Sequence, residues 1–166
     1  MSDDADIEAK VAAALERLGV PWELLRIDPG FADTAAFCEK YGVPLDHSGN
    51  TIIVASKKEP KKYCACLVLA TTRLDVNHTV RRLMDVSRAS FATSGETEQL
   101  TGMMIGGVTL LALPPDLPIY VDERIMALDY VILGGGSRSS KIKVTPDVLR
   151  RLSNVAVVPG LALAAS

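Results

Sequence analysis

The sequence is short of several residue types, and each shortage excludes a class of protein. Its 166 residues include three cysteines, two histidines and one tryptophan, and aromatic residues make up only 5%. So few aromatic residues exclude the stacking surface that binds single-stranded nucleic acid without sequence preference. A small, odd number of cysteines excludes a disulfide framework and is typical of reduced thiols in the cytoplasm. We therefore expect a cytoplasmic protein.

Neither charge of one sign nor apolar residues are concentrated in the chain. Lys and Arg total 18, Asp and Glu total 20, and the formal net charge is −2, which excludes a protein that is basic overall. Any contact with nucleic acid must be local, and DNA is not an expected partner. No run approaches the ~18 apolar residues of a membrane span, because Pro159 and Gly160 interrupt the apolar tail. The acidic N-terminus lacks a signal-peptide pattern, so we expect neither secretion nor a membrane partner.

Length and the pattern of elements predict one mixed domain. At about 150 residues per domain, the chain is expected to form a single domain over residues 1–166. Short β-branched runs alternate irregularly with short amphipathic segments, unlike the regular strand and helix rhythm of a doubly wound fold. The expected fold class is therefore α+β, a mixed α/β architecture. The small-residue tail 161–166 is expected to fray.

Several segments carry start and stop signals for helices and strands. Apolar residues at helical spacing before Gly19 predict a first helix. The β-branched runs 51–54 and 63–71 flank a polar turn and predict a hairpin, in which Cys64 and Cys66 belong to the core. Later helices are predicted to begin near three capping residues, Asp33, Asp75 and Thr145, with a further short helix over 96–100. Other strands are predicted over 20–27, 89–93, 108–113, 119–121, 130–133 and 141–144.

Two glycine-rich segments stand out from this composition. The first glycine segment is TGMMIGGVT at 101–109, and the second glycine segment is GGGSR at 134–138. Glycine permits positive φ and lets backbone N–H groups converge on an anionic oxygen, which suits an oxyanion site. Glycine is also the usual residue of tight turns, so the residues alone leave both interpretations open. Neither segment matches a Walker or dinucleotide-binding fingerprint.

Four motifs in consistent order carry a family resemblance. They are TGMMIGGVT at 101–109, LPIYVDE at 117–123, GGGSR at 134–138 and TPDVL at 145–149. Together they resemble the YbaK/EbsC family, which is related to the editing domain of bacterial prolyl-tRNA synthetase. The resemblance covers about 50–152. It implies a partly barrel-like sheet with flanking helices and a freestanding trans-editing protein that hydrolyses the ester bond of mischarged aminoacyl-tRNA carrying a small amino acid.

The resemblance also implies partners and site residues. The implied partner is mischarged aminoacyl-tRNA, with an aminoacyl-tRNA synthetase as a further candidate, no cofactor and no metal; a monomer and a homodimer stay open. The candidate catalytic residues are Asn50, Gly106, Gly107, Gly135 and Gly136. The candidate substrate-binding residues are His47, Thr51, Val108, Thr109, Asp122 and Ser137. For His47 a loop-tethering role stays open, and for Asp122 a role in holding a loop through backbone hydrogen bonds.

Asn50 departs from the family pattern, since similar proteins typically carry a lysine at the start of this strand. Asparagine supplies neither a positive charge nor a base, so a mechanism that needs the ammonium is excluded at this position. One interpretation is a deacylase in which the ribose hydroxyl or the substrate's own side chain assists and backbone amides stabilise the oxyanion. The alternatives are a non-catalytic relative that binds aminoacyl-tRNA or a small amino-acid-like ligand, and a hydrolase of some other small ester.

Basic residues occur in small local groups. The candidate tRNA-binding residues are Lys57, Lys58, Lys61, Lys62, Arg81, Arg82 and Arg138. Such groups bind phosphates with an affinity that depends on salt and not on base sequence. A solvated turn and a solvated helix face are the alternative interpretation of the same residues.

Overall fold

Helices and strands alternate irregularly along the chain. The computed structural model describes residues 3–164. Its α-helices are α1 (Asp3–Leu18), α2 (Thr34–Tyr41), α3 (Arg81–Met84), α4 (Ser94–Thr101) and α5 (Asp147–Arg150). Its strands are β1 (Trp22–Arg26), β2 (Gly49–Ser56), β3 (Tyr63–Leu69), β4 (Thr72–Leu74), β5 (Ala89–Phe91), β6 (Ile119–Asp122), β7 (Val131–Gly134), β8 (Ser140–Val144), β9 (Val155–Val158) and β10 (Ala162–Ala164). A turn of π-helix, Val76–Val80, leads into α3.

Two sheets position the candidate site. The larger has the order β5-β2-β3-β6-β9, and the smaller has the order β1-β8-β7. Strand β2 is antiparallel to β3 and β5, whereas β6 is parallel to β3 and β9. A parallel bridge between Ser48 and Ile132 joins the two sheets beside the start of β2. Within residues 3–164 the sheets do not close into a barrel, and the predicted mixed, partly barrel-like class is confirmed.

The central hairpin divides the apolar interior into two clusters. Because successive side chains of a strand point to opposite faces, β3 places Ala65 and Leu67 in the larger core and Cys64 and Cys66 in a second one. Both cysteines are fully buried, with 3.9 Å between their sulfur atoms. The Cys64 sulfur and the burial together raise the pKa of the Cys66 thiol. These two cysteines are therefore core residues, as predicted.

Two short helices, α2 and α4, lie beside the candidate site, and each has a sequence signal at its ends. α2 begins after Asp33 and ends at Gly42, whose φ of 68° is the left-handed conformation that glycine adopts without strain. α4 begins with a capping box, in which the Thr93 hydroxyl accepts from the Glu96 N–H and the Glu96 carboxylate accepts from the Thr93 N–H. No helix among residues 3–164 is long and apolar enough to cross a membrane.

Two segments differ from their predicted conformation. The predicted strand 108–113 is wrong, because Leu110–Ala112 forms a 3-10 turn capped by the Thr109 hydroxyl. The tail that was expected to fray is ordered up to residue 164, because β10 pairs with β4 and Leu161 is fully buried. Residues 165–166 lie outside the described residues.

Candidate functional site

A cavity of about 460 Å³ opens where the first half of β2 faces the turn before α2, the first glycine segment and the start of β8. Its volume lies within the usual range of small-molecule sites. The residues that matter below are Thr34, Asn50, Thr51, Gly106, Val108 and Lys141, which all line it. The topology thus brings together parts of the chain that lie far apart in sequence.

Asn50 is on the cavity wall and is held by the start of α2. The Thr34 hydroxyl donates a hydrogen bond to Asn50 Oδ1. This bond fixes the amide with its oxygen toward α2, so the Nδ2 group remains available as a donor. The predicted position of Asn50 at the site thus agrees with the geometry, and the side chain can act there as a hydrogen-bond donor.

Thr51, the next residue of β2, has a polar atom without a partner. Its Oγ1 is buried and makes no hydrogen bond within the described part of the chain. A buried hydroxyl without a partner is destabilising, and buried polar groups in proteins are nearly always satisfied. A bound ligand with a donor or acceptor at this point would satisfy it.

Lys141 was not predicted as a site residue, yet its side chain lines the cavity. It is only 6% exposed, and its Nζ donates to the carbonyl of Ala32 at 2.7 Å and to that of Gly106 at 3.0 Å. The Phe37 ring centroid lies 5.4 Å from Nζ, within cation–π range. Burial lowers the pKa of Lys141 to about 8. An ammonium with a readily lost proton therefore lies in the wall of the cavity.

The two glycine segments lie directly against each other, as an oxyanion site built from both would require. A Cβ atom on Gly107 would lie 2.6 Å from the backbone carbon of Ser137. A Cβ atom on Gly134 would lie 2.2 Å from the carbonyl oxygen of Val108. Side chains cannot be accommodated at such distances without backbone movement, so this close approach requires glycine.

The backbone N–H groups of these segments, however, are mostly engaged within the loops. Gly107 donates to the Met104 carbonyl at 2.9 Å, and Gly136 donates to the Gly107 carbonyl at 2.8 Å. Gly135 donates across the turn to a β8 carbonyl at 3.2 Å. The prediction that these three glycines present free amides to a substrate does not match this hydrogen bonding. Gly106 differs from these three glycines, because its N–H makes no hydrogen bond within residues 3–164 and the residue lines the cavity.

Arg138 spans the rim of the cavity. Its guanidinium donates to the carbonyls of Ile105 at 2.5 Å and Pro29 at 3.1 Å, and it pairs with the Asp33 carboxylate at 3.3 Å. These contacts join the first glycine segment to the turn before α2. The geometry places Arg138 in a structural link, where phosphate binding would compete with three internal acceptors.

Two exposed apolar side chains flank the cavity mouth, and neither was predicted. Phe91 at the end of β5 is 57% exposed, and Ile105 in the first glycine segment is 51% exposed. Both line the cavity. An exposed aromatic ring at the mouth of a cavity is suited to stack against a flat ring system.

Two predicted substrate-binding residues lie away from the cavity lining. Thr109 is fully buried, and its hydroxyl accepts from the Leu111 N–H at 3.4 Å. Asp122 is 1% exposed and caps a 3-10 turn, with Oδ1 accepting from the Arg124 N–H at 3.0 Å. Its Oδ2 makes no hydrogen bond with any described residue, although the Arg124 guanidinium lies 4.0 Å away. Loop-holding roles fit both residues in this arrangement.

Ser137 and His47 are likewise tied to other parts of the structure. The Ser137 hydroxyl donates to the Glu8 carboxylate of α1. The His47 ring nitrogens lie 2.9 Å from Asp46 and 3.0 Å from Asp129. The hydrogen bond with Asp46 is the largest cause that raises the pKa of His47, and the hydrogen bond with Asp129 raises it too. His47 therefore fits the loop-tethering alternative, because neither its ring nor Ser137 lines the cavity.

The predicted tRNA-binding residues lie outside the cavity. Lys57, at the end of β2, donates its N–H to the Arg88 carbonyl at 3.0 Å, so Arg88 joins the exposed lysines there. Lys61 lies 3.7 Å from the Glu96 carboxylate. The Arg81 and Arg82 guanidinium groups each donate to a carbonyl one turn earlier in the chain. Lys58 and Lys62, the other two predicted lysines, are also exposed in the segment that follows β2.

Comparison with solved structures places the fold in a known class. The crystal structure of a hypothetical protein matches with a TM-score of 0.81 and 25% identity, covering 92% of this chain and 99% of the other. The crystal structure of a proposed trans-editing enzyme for prolyl tRNA synthetase matches with a TM-score of 0.78 and 24% identity, covering 96% and 97%. A search of curated protein sequences gives no significant match.

The family follows from the sequence over most of the same region. The family model described as the aminoacyl-tRNA editing domain matches residues 28–152. This chain therefore belongs to the aminoacyl-tRNA editing domain family, and the predicted resemblance is confirmed. The matched region contains every element that lines the cavity.

Proposed function

We propose that the protein is a freestanding, single-domain deacylase that hydrolyses the ester bond of mischarged aminoacyl-tRNA carrying a small amino acid. One observation carries the proposal: a cavity in an editing-family fold is lined by residues whose hydrogen-bonding groups have no partner among residues 3–164. These groups are the Thr51 hydroxyl, the Gly106 N–H and the Asn50 amide nitrogen. An aminoacyl ester offers carbonyl, amine and hydroxyl groups that match them.

Ester hydrolysis requires a balanced sequence of bond changes. The water oxygen bonds to the ester carbonyl carbon, and the electron pair of the C=O bond moves onto the carbonyl oxygen. The bond from that carbon to the ribose oxygen then breaks, and the ribose oxygen takes a proton from the water. The Gly106 N–H suits the transient negative oxygen, because a fixed backbone donor stabilises such charge without reorganisation.

Among the described residues that line the cavity, the Asp33 carboxylate is paired with Arg138 and Lys141 is mostly protonated at neutral pH, so part of the proposal is substrate assistance. The vicinal ribose hydroxyl, or the amino acid's own side chain, would orient the attacking water. The terminal adenine of the tRNA would stack on Phe91 at the mouth, with Ile105 on the other side. The aminoacyl group, which we propose to be small, would lie deeper in the cavity.

Further parts of the proposal concern partners and location. The proposed partner is aminoacyl-tRNA, bound through its acceptor end and, at a distance from the cavity, through the exposed lysines that follow β2. A likeness in fold to a proposed trans-editing enzyme for prolyl tRNA synthetase makes a synthetase a reasonable second partner. We propose a cytoplasmic location, because aminoacyl-tRNA is used there in translation.

The experiment that tests the function is a panel of purified alanyl-, cysteinyl-, seryl- and prolyl-tRNAs, each prepared on cognate and non-cognate tRNA. Release of the amino acid is followed in single-turnover reactions against the buffer rate. Rapid release from a mischarged member supports the deacylase. Tight binding without release supports the non-catalytic relative, and release from simple esters at the same rate as from tRNA supports a general esterase. Folded protein that neither binds nor hydrolyses any member contradicts the proposal.

A further inference from the structure

Lys141 places a buried cationic side chain in the wall of the cavity. Among the described residues that line the cavity, it alone carries a cationic side chain. None of the ion pairs between described residues includes it. The nearby Asp33 carboxylate is paired with Arg138 at the rim. Lys141 therefore brings a buried positive charge to the cavity without a carboxylate bound to it.

A buried ammonium without a counter-ion is costly, because desolvation disfavours the charged form. Two backbone carbonyls, those of Ala32 and Gly106, accept hydrogen bonds from Nζ and fix its position. An ammonium has three N–H bonds, so one donor remains after these two are made. The carbonyls reduce the cost but do not neutralise the charge, which an anion in the cavity would do.

Gly106 connects this ammonium to the other donor of the site. Its carbonyl accepts from Lys141 Nζ, and its own N–H has no partner in the described chain. The charge and the free amide are thus joined through one glycine, whose carbonyl holds Nζ and whose N–H is unengaged within residues 3–164. We propose that the Lys141 ammonium contacts the ester carbonyl oxygen of bound aminoacyl-tRNA and, with the Gly106 N–H, stabilises the negative charge formed there. This inference rests on the proposed deacylase function.

Protonation supports this assignment. With a pKa of about 8, Lys141 is mostly the ammonium at neutral pH and loses its charge as pH rises through that value. Burial is the main cause of the lowered pKa, and the facing Arg138 lowers it further. Asp33 and Cys38, which face it from the turn before α2 and from α2, act in the opposite direction. The stabilisation of the oxyanion should therefore decrease above about pH 8.

The first test compares two lysine to methionine substitutions on the same strand. Lys143 lies two residues further on the same face of β8, and its Nζ lies 4.5 Å from the Tyr130 ring centroid, but it does not line the cavity. In single-turnover deacylation, K141M should lower the rate constant about 100-fold, with less than about a threefold change in the half-saturating enzyme concentration. K143M should match the wild type. An unchanged rate in K141M overturns the inference.

A second test separates the charge from a structural role. Because Asn50 lines the same cavity, adding Asn50→Lys to K141M should raise the rate constant about tenfold above that of K141M alone. If K141M does not fold, Lys141→Arg decides. Arginine keeps its charge at every pH used, so the break in enzyme-catalysed rate near pH 8 should vanish after subtraction of the uncatalysed rate. A break that persists in Lys141→Arg, or a folded K141M that Asn50→Lys cannot rescue, overturns the inference. A wild type inactive on every tRNA would instead overturn the proposed function itself.

Discussion

The polar groups of the cavity differ in how many hydrogen bonds they make to other described residues. Asn50 has its oxygen bonded to Thr34, Lys141 donates to two carbonyls, and the Thr51 hydroxyl has no partner. A fold selected for stability alone would replace that hydroxyl by a methyl group of the same size. At the scale of single residues, the unpaired hydroxyl is therefore a group to which the proposed substrate could hydrogen-bond.

Thr51→Val tests this reasoning. The substitution replaces an unsatisfied buried hydroxyl by a methyl group, so the free energy of unfolding should rise by about 1 kcal/mol. The rate of deacylation should fall about tenfold, because a substrate hydrogen bond is lost. Urea denaturation and single-turnover kinetics measure the two effects. Thr51→Ser, which keeps the hydroxyl, is the control and should retain the wild-type rate; lower stability of Thr51→Val, or an unchanged rate, would contradict the interpretation.

His47 gives a pH-dependent prediction. Its hydrogen bonds to Asp46 and Asp129 raise its pKa above the ordinary value of 6.5, so the protonated form is favoured in the folded state. This contribution to stability is complete below pH 6.5 and is lost as pH rises through the folded pKa. NMR titration of the His47 ring should give a midpoint above 6.5, and Asp129→Asn should lower it. A midpoint at or below the ordinary value would show that these pairs do not form in solution.

At the scale of elements, the cavity depends on the contact between the two glycine segments. The Gly136 N–H donates to the Gly107 carbonyl, and Gly134 leaves no room for a Cβ beside Val108. The glycines of the second segment thus support the loop that carries Gly106. The contacts that these glycines make pack the two turns together.

Gly134→Ala should disturb this contact directly. The added Cβ would lie 2.2 Å from the Val108 carbonyl oxygen, and the backbone must move to accommodate it. The expected loss is about 1–3 kcal/mol in the free energy of unfolding by urea. Gly95→Ala in α4 is the matched control, because its nearest neighbour, Thr93 Oγ1, is 3.9 Å away and the position is helical. Equal stability of the two variants would argue against the close packing.

At the scale of the whole molecule, the cavity and the basic residues occupy opposite ends of β2. Asn50 is at the cavity, whereas Lys57 and Lys58 follow the strand about 20 Å further on. Strand β5 runs beside the second half of β2, from Phe91 at the mouth, which pairs with Val54, back toward Arg88 beside Lys57. The terminal adenosine and the acceptor stem of one tRNA would span such a distance.

Reversing the charge of Lys57 and Lys58 together should weaken tRNA binding about tenfold at low salt and reduce the salt dependence. Hydrolysis of a minimal aminoacyl-adenosine ester should be unaffected, because that substrate does not reach this end of β2. Single-turnover titrations with both substrates at several salt concentrations measure this. Lys10→Glu on α1 serves as the charge control. If the double reversal leaves tRNA binding unchanged, the lysines form a solvated turn.

Local sequence signals determined much of the architecture. Gly19 and Gly42 end the first two helices, Gly102 ends α4, and the β-branched runs form the β2–β3 hairpin. These features depend on backbone conformation and hydrogen bonds between near neighbours, so a few adjacent residues are enough to predict them. The family motifs also located Asn50, Thr51 and Gly106 at the cavity.

Other features depended on contacts between distant segments. Nothing in the alternating run of β8 distinguishes Lys141 from Lys143; only the neighbouring turn before α2 and the first glycine segment enclose the former. Likewise, a glycine-rich sequence indicates that an N–H can be exposed, but the acceptor that engages the Gly136 N–H comes from residues nearly thirty positions away. The residues themselves thus determined which groups the chain offers. Only the tertiary structure decided which of them stay free, because a hydrogen bond or a buried charge is defined by its partner as much as by its own residue.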